Sequence, residues 1–174
     1  VKLISPDATI SAKDLLDKDM SIETDLTSAT LGAGQRYLSG QITEFTYAGR
    51  EGDFFSYEAV LRPWLWHASR RSDFKIVQFK KVPQIIKEVL DEYGFVIEDR
   101  LTGSYREWDY VVQYGETDLK FVSRLMEEEG VYYYFEHRLG AHKLVLAADI
   151  GSHQSLPDGR DSISFYSSEQ QVNE

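Results

Sequence analysis

The sequence predicts an α+β fold that is mainly antiparallel β. Several segments alternate apolar and polar residues with the period of a strand, and turn residues join neighbouring segments into hairpins. Only two long stretches have helical spacing, one beginning at Pro83 and one ending at Gly130. This order predicts helices packed on a small antiparallel sheet and argues against a parallel nucleotide-binding sheet.

A short helix and a strand are predicted near the start of the chain. Ser11 is suited to cap a helical turn over 12–16, because its side-chain oxygen can accept from an unpaired N–H of the first turn. Residues 20–26 then alternate as a half-buried strand. Small and polar residues over 27–35 predict a loop.

The next predicted element is a long hairpin. Residues 36–47 and 54–61 have the composition of extended strands, and Gly49 and Gly52 supply the turn between them. Pro63 ends the ladder because it has no N–H to donate. The first part of the chain is therefore predicted to be antiparallel β.

The segment Trp64–Ser69 is too short and too aromatic for a free helix. We expect it to anchor a crossing between two layers, with a domain boundary near Ser72. The predicted domains are a β domain over 1–71 and an α+β domain over 72–150.

The α+β domain contains two predicted helices. Pro83 suits a first helical position, apolar residues follow at helical spacing, and Gly94 suits the position after the helix. Residues 108–114 alternate as a strand that leads into the second helix, with Trp108, Tyr110, Val112 and Tyr114 on its large apolar side.

A final hairpin follows Gly130, which ends the second helix. Residues 131–137 and 142–148 are predicted to pair across a turn in which Gly140 takes a positive φ. Polar residues dominate 151–174, where 163–166 is predicted to form a strand that returns to the first domain. Because the chain begins with Val1 and ends in a polar stretch, we expect it to be part of a longer polypeptide.

Composition narrows the function. The chain has 29 acidic and 19 basic residues, a net charge of -10, which disfavours binding to nucleic acid or to an anionic membrane surface. It has no cysteine, which excludes disulfides and thiolate chemistry. No apolar run approaches the ~20 residues that span a bilayer, and the first residues do not resemble a secretory signal.

Acidic side chains do not predict a metal site. Glu116, Asp118 and the run Glu127–Glu129 lie near one helix, but consecutive helical residues point about 100° apart and cannot converge on one ion. We interpret the run as a solvated helix face. The helix dipole favours a negative charge at Asp118, near the helix start.

Other candidate reactive groups are equally weak. His137 and His142 flank the last turn and resemble half of a zinc site, but a packing role is the better interpretation. No Ser or Thr lies in a nucleophile elbow, and Gly32-Ala33-Gly34 lacks the lysine and helix of a phosphate-binding loop. No catalytic residue, cofactor or metal ligand is predicted.

The chain is rich in aromatic residues, with 11 Tyr, 9 Phe and 3 Trp. Most are expected in the core and the rest at a subunit interface. An alternative is a carbohydrate-binding or carbohydrate-degrading module in which Glu107 and Asp109, roughly 6–7 Å apart on one strand face, form a carboxylate pair. The absence of a further polar cluster argues against this alternative.

Ordered motifs over most of the chain resemble a known family, the N-terminal hub region of the VgrG tip proteins of type VI secretion systems. That region is related in fold to the hub proteins of contractile phage tails. The motifs lie at 36–45, 61–66, 82–86, 106–107, 112–118, 121–125, 127–137 and 142–146. The structural positions that carry the resemblance are Arg36, Gly40, Pro63, Trp64, Trp66, Tyr114, Glu116, Asp118, Phe121, Arg124, Leu125, Glu128, Gly130 and Tyr133.

The resemblance implies a structural, non-enzymatic role. It implies a homotrimer whose β domains form a pseudo-hexagonal ring on a tube of Hcp hexamers and carry a spike with its tip and effector partners. It also implies synthesis in the bacterial cytoplasm and export by the secretion system without a signal peptide. A phage or phage-like baseplate hub is the alternative within the same fold.

Three departures from the family pattern matter. The chain lacks the strands that usually open the hub, so the first barrel is expected to be incomplete, and it lacks the spike region, so spike and effector binding is not assigned to these residues. Gly115 stands where a larger residue is often found, which predicts a looser turn between strand and helix. We expect the shape of the hub to depend on packing by Trp64, Trp66, Tyr114, Phe121, Leu125 and Tyr133.

Overall fold

The structure is a computed structural model that describes residues 1–25 and 35–153. Its strands are β1 (Lys2–Ser5), β2 (Asp19–Asp25), β3 (Gln35–Glu51), β4 (Phe54–Arg62), β5 (Ser72–Lys81), β6 (Ile97–Asp99), β7 (Glu107–Thr117), β8 (Tyr132–Arg138) and β9 (Ala141–Ala147). Its α-helices are α1 (Ala12–Leu15), α2 (Val82–Asp91) and α3 (Asp118–Glu129), and two 3₁₀ helices cover Trp64–Ser69 and Ile150–Ser152. The predicted α+β class with mainly antiparallel strands is confirmed.

The first four strands form one antiparallel sheet in the order β1-β4-β3-β2, curled as an open half-barrel. The predicted hairpin of β3 and β4 is present, with Gly49 and Gly52 at positive φ in its turn region. Gly40 on β3 lies so close to β4 that a Cβ there would meet the carbonyl oxygen of Arg62 at 2.9 Å. The packing of these two strands therefore requires glycine at this motif position.

The predicted short helix and its cap are also present. The Ser11 side chain accepts a hydrogen bond from the Lys13 amide at 3.3 Å, and α1 follows it. The predicted strand over 20–26 corresponds to β2. Three predicted parts lie outside the described residues: Leu26 at the end of the predicted strand, positions 27–34 of the predicted loop, and the predicted strand over 163–166.

The aromatic segment after Pro63 forms the first 3₁₀ helix, which connects the first sheet to the rest of the molecule. Trp64 is fully buried, and its ring stacks on Phe95 with the ring centroids 5.0 Å apart. Leu65 and Ala68 belong to the same core as α2 and α3. The expected anchoring role of this segment is therefore seen in its packing.

Two smaller sheets flank the helices. β5 and β7 form an antiparallel two-stranded ribbon, and the other sheet has the order β6-β9-β8. β8 and β9 form the predicted antiparallel hairpin, but β6 pairs with β9 in parallel, which the sequence analysis did not predict.

The core lies between the first 3₁₀ helix, the two long helices and the β6-β9-β8 sheet. α2 extends over Val82–Asp91, so Tyr93, predicted to continue the helix, lies in the turn beyond it. α3 begins after Thr117, whose side chain accepts from the Lys120 amide at 3.2 Å, and ends at Gly130 with φ 69°. Within the described residues, no helix is long and apolar enough to cross a membrane.

Candidate interaction surface

The outer face of the β5–β7 ribbon exposes several large apolar side chains. The register pairs Phe74 with Tyr114, Ile76 with Val112 and Gln78 with Tyr110, so these six side chains share one face. The exposed fractions are 70% for Phe74, 69% for Ile76, 64% for Tyr110, 36% for Val112 and 80% for Tyr114. We call these six residues the ribbon face.

The opposite face of the ribbon packs on the molecule. Val111 is 6% exposed and Gln113 is fully buried. The expected packing of Tyr114 is wrong for this chain, because its side chain is exposed. Val111 and Gln113 face the helices, and Tyr110, Val112 and Tyr114 face outward. Trp108, predicted on the same side as Tyr114, instead packs against the core.

The two rings at one end of the ribbon face contact each other and Gly115. Phe74 and Tyr114 meet edge to face at a centroid distance of 5.2 Å. Gly115 has φ 64°, and a Cβ on it would lie 3.1 Å from the Phe74 ring. Glycine is therefore suited to both the backbone conformation and the ring contact.

We expect Gly115→Ala to lower the free energy of unfolding by about 1–2 kcal/mol, because an L side chain is strained in the left-handed region. Urea denaturation of the two proteins measures this change. Gly103→Ala, at a glycine for which no positive φ is found, is the control. Equal stabilities for wild type and Gly115→Ala would contradict the strained position assigned to Gly115.

A buried carboxylate fixes the junction between β7 and α3. Asp118 is 1% exposed and accepts hydrogen bonds from the Tyr93 hydroxyl at 2.6 Å and from Nε2 of Gln113 at 2.7 Å. Nε of Arg71 lies 3.7 Å from the same carboxylate. Burial, followed by the hydrogen bond to Asp118, raises the pKa of Tyr93. The helix-dipole explanation from sequence is thus incomplete, because Asp118 also joins α3 to the turn after α2.

Three glutamates near α3 have protein partners. Glu116 binds Arg124 at 2.6 Å, and Glu128 binds Arg106 at 3.3 Å. Glu129 was expected to face water, but its side chain is only 15% exposed and it accepts from Nε1 of Trp108 at 3.1 Å. That part of the solvated-face interpretation is wrong.

The histidine pair at the last turn does not form half of a metal site. Nε2 of His142 accepts from the Trp64 amide at 2.9 Å, and Nδ1 of His137 contacts the Ser39 backbone. These nitrogens already have protein partners. Among residues 1–25 and 35–153, no group of three or more His, Asp or Glu side chains is placed to hold a metal ion.

The remaining motif positions are divided between core and surface. Phe121 is fully buried and Leu125 is 1% exposed, as expected of packing residues. Trp66 is half-buried with Arg62 and Arg70 over its ring, and Tyr133 is 36% exposed. Arg36 is exposed on β3, and Pro63 precedes the 3₁₀ helix.

Two of the open hollows in the described part of the chain have linings that bear on a ligand site. The larger, about 460 Å³, is lined by Arg100, Tyr132, Tyr134, Glu136 and His153. Its charges are paired with each other, with Arg100 and Glu136 at 2.6 Å. The smaller, about 350 Å³, lies beside the start of α2 and Tyr105. Glu107 and Asp109, the carboxylate pair of the carbohydrate hypothesis, line neither hollow.

Known proteins resemble this chain over nearly its whole length. Spike protein VgrG1c of the type VI secretion system from Pseudomonas aeruginosa is 44% identical over 95% of this chain. The match covers 22% of VgrG1c, so the chain spans less than a quarter of that relative. The actin cross-linking toxin VgrG1 of Vibrio cholerae is 30% identical over 91% of this chain and 14% of its own length.

A solved structure has the same fold. The E. coli c3393 protein is described as a component of the type VI secretion system with structural similarity to the T4 bacteriophage tail proteins gp27 and gp5. It superposes with a TM-score of 0.78 at 28% identity, over 88% of this chain and 42% of c3393. The resemblance drawn from the sequence motifs is confirmed.

The family model described as phage tail baseplate hub (GPD) matches residues 1–173. The open half-barrel of β1–β4 agrees with a partial hub domain. The chain therefore belongs to the phage tail baseplate hub (GPD) family.

Proposed function

We propose that this chain is a structural hub component of a type VI secretion apparatus. In this role, three copies surround one axis, match a sixfold tube of Hcp to a threefold spike, and leave the cell when the apparatus contracts. The observation that carries the proposal is the fold shared with c3393 over 88% of the chain. Spike-tip and effector proteins would bind through parts of the assembly other than these residues.

A role without catalysis is part of the proposal. The buried polar groups found at α3 hold elements of the fold together, as Asp118 does with Tyr93 and Gln113. The carboxylates of Glu128, Glu116 and Glu129 bind Arg106, Arg124 and Trp108 respectively. The division into a first domain, 1–71, and a second domain, 72–150, is likewise proposed. Trp64, Leu65 and Ala68 belong to the first domain by sequence but pack in the core formed by α2 and α3.

Release of Hcp from bacteria that encode this chain tests the function. Deleting the gene should abolish release of Hcp into the medium, and restoring the gene should restore it. A deletion strain that still releases Hcp, but loses a contractile phage-like particle, would instead support the phage-hub alternative. The shared fold of c3393 and tail proteins is the observation that keeps this alternative in view.

We propose a second copy of this chain as the partner of the ribbon face. The chain carries a net charge of -10, so copies repel each other over most of their surface. None of the six side chains of the ribbon face is charged at neutral pH, so two copies can approach there without burying like charges. Exposed aromatic rings with a polar edge, such as Tyr110 and Tyr114, are enriched at protein interfaces.

Photo-crosslinking in the producing cell tests this contact. A photoreactive amino acid at position 114 should give a covalent product with twice the mass of the gene product, because the Tyr114 ring faces a neighbouring copy. Val96, which is 67% exposed away from the ribbon, is the matched control position and should give no such product. Equal crosslinking from positions 96 and 114, or crosslinking of position 114 only to a different protein, would contradict the assignment.

A further inference from the structure

Two imidazoles are among the contacts that attach the β8–β9 hairpin to the first half of the molecule, beside the hydrogen bonds from the Gly140 amide to Ser21 Oγ and from Ser39 Oγ to the Arg138 carbonyl oxygen. His137 and His142 are paired across the hairpin, and their rings lie 6.0 Å apart in a stacked arrangement. His137 contacts Ser39 on β3, and His142 contacts Trp64 at the start of the first 3₁₀ helix. Together these contacts join the α+β part to the end of the first sheet.

His137 can keep its contact in either protonation state. Its Nδ1 lies 3.1 Å from the Ser39 amide nitrogen and 3.0 Å from the Ser39 carbonyl oxygen. The unprotonated nitrogen accepts from the amide, and the protonated nitrogen donates to the carbonyl. The β3–β4 ladder ends at the pair Gln41 and Arg62, so no β4 residue pairs with Ser39. The His137 ring lies beside Ser39 instead.

His142 does not have this choice. Its Nε2 accepts from the Trp64 amide at 2.9 Å, and within the described part of the chain this amide is the sole hydrogen-bond partner of Nε2. The Trp64 amide is the first N–H of the 3₁₀ helix after Pro63 and has no carbonyl partner within that helix. A protonated Nε2 would present its own N–H to this amide and lose the hydrogen bond.

The groups around His142 favour the neutral ring. Burial has the largest effect and lowers the pKa of His142. His137 lowers this pKa further, and Asp19 on β2 raises it.

The other polar groups near the histidine pair have partners. His67 of the 3₁₀ helix is bonded to Gln41 of β3 at 2.7 Å. The charges beside the pair on β8 and β9, Glu136 and Lys143, bind each other at 3.0 Å. The carbonyl oxygen of Arg138, next to His137 on β8, accepts a hydrogen bond from Ser39 Oγ.

We propose that the His142–Trp64 contact is a pH-sensitive joint, in which protonation of His142 breaks the hydrogen bond between β9 and the first 3₁₀ helix and opens the contact locally. The open state holds the proton more tightly than the closed state. The joint is therefore complete above the ordinary imidazole pKa of about 6.5 and weakens as the pH falls below that value. In that range the opening constant rises by up to about tenfold for each pH unit.

Amide hydrogen exchange at Trp64, followed by NMR between pH 7.5 and 5.5, tests the joint. After correction for intrinsic exchange, protection of the wild-type amide should fall by up to about tenfold per pH unit below pH 6.5. In His142→Gln a side-chain oxygen can accept from the same amide at every pH, so protection should stay constant. His137→Gln is the matched control and should retain a pH-dependent fall in protection, over a narrower pH range than the wild type, because His137 is one of the groups that lower the pKa of His142.

Two results would overturn the joint. One is constant protection of the Trp64 amide in the wild type, and the other is an equal loss of protection in His142→Gln. If His142→Gln does not fold, the ring resonances of wild-type His142 provide the second measurement. The Trp64 amide shift should then follow the His142 titration midpoint, and a Trp64 amide without a step at that midpoint would also overturn the joint.

Discussion

Phe121→Ala is expected to lower the free energy of unfolding by about 3–5 kcal/mol, because it removes a fully buried ring and leaves a cavity. The ring lies on α3 in the core that also holds Trp64 from the 3₁₀ helix and Leu144 from β9. Because a close-packed core relaxes only in part, the transfer cost and the cavity cost add. Chemical denaturation followed by circular dichroism measures the change.

The control for this experiment is Lys120→Ala, one residue earlier on the exposed side of the same helix. It should change stability by no more than about 0.5 kcal/mol, because surface substitutions away from caps and networks have small effects. A loss of unfolding free energy below about 1 kcal/mol for Phe121→Ala would contradict a core position for this ring, because truncating a buried Phe to Ala usually costs more.

Asp118→Ala is also expected to have a large effect, about 2–4 kcal/mol, because it removes a buried carboxylate that accepts two hydrogen bonds. The Tyr93 hydroxyl would lose its acceptor, and the Gln113 amide would lose one of two, since it also donates to the Glu116 carbonyl. Arg71 would lose one of its two carboxylate neighbours. Equilibrium unfolding in urea at pH 7 measures the loss.

Glu92→Ala is the matched control because Glu92 is the other carboxylate bound by Arg71, at 2.6 Å. The Glu92 side chain is 40% exposed, so this ion pair should contribute no more than about 1 kcal/mol. If Asp118→Ala costs no more than Glu92→Ala, burial of the carboxylate does not have the importance assigned here.

Local signals in the sequence predicted most of the elements. Ser11 and Gly130 were identified as helix boundaries, and both take those positions. The turns of the two hairpins were predicted from their glycines, and the end of β4 was predicted from the proline that follows it. Each of these residues lies within a few positions of the feature that it predicts. Such features depend on φ preferences and free N–H groups, which are properties of a short segment.

Features set by distant residues were missed. The parallel pairing of β6 with β9 joins residues such as Ile97 and Leu144, which no local pattern connects. The contacts of His137 with Ser39 and of His142 with Trp64 are of the same kind. A period of two shows that a strand has two faces, but it does not show which face is covered.

The ribbon face illustrates that last point. Over 110–114, β7 has Tyr110, Val112 and Tyr114 on one side and Val111 and Gln113 on the other, so hydrophobicity alone favours burial of the side that is exposed. Gln113 is buried because Asp118 and the Glu116 carbonyl accept from its amide. Outward-facing Phe74 and Tyr114 are explained if a neighbouring copy covers them in the assembly, as proposed.

The most direct test of the hub role is the symmetry and position of this chain in the assembled apparatus. Electron cryo-microscopy of the junction between tube and spike should show three copies of this fold around one axis, directly against the last Hcp ring. A junction without this fold, or with one copy or six copies of it, would contradict the account.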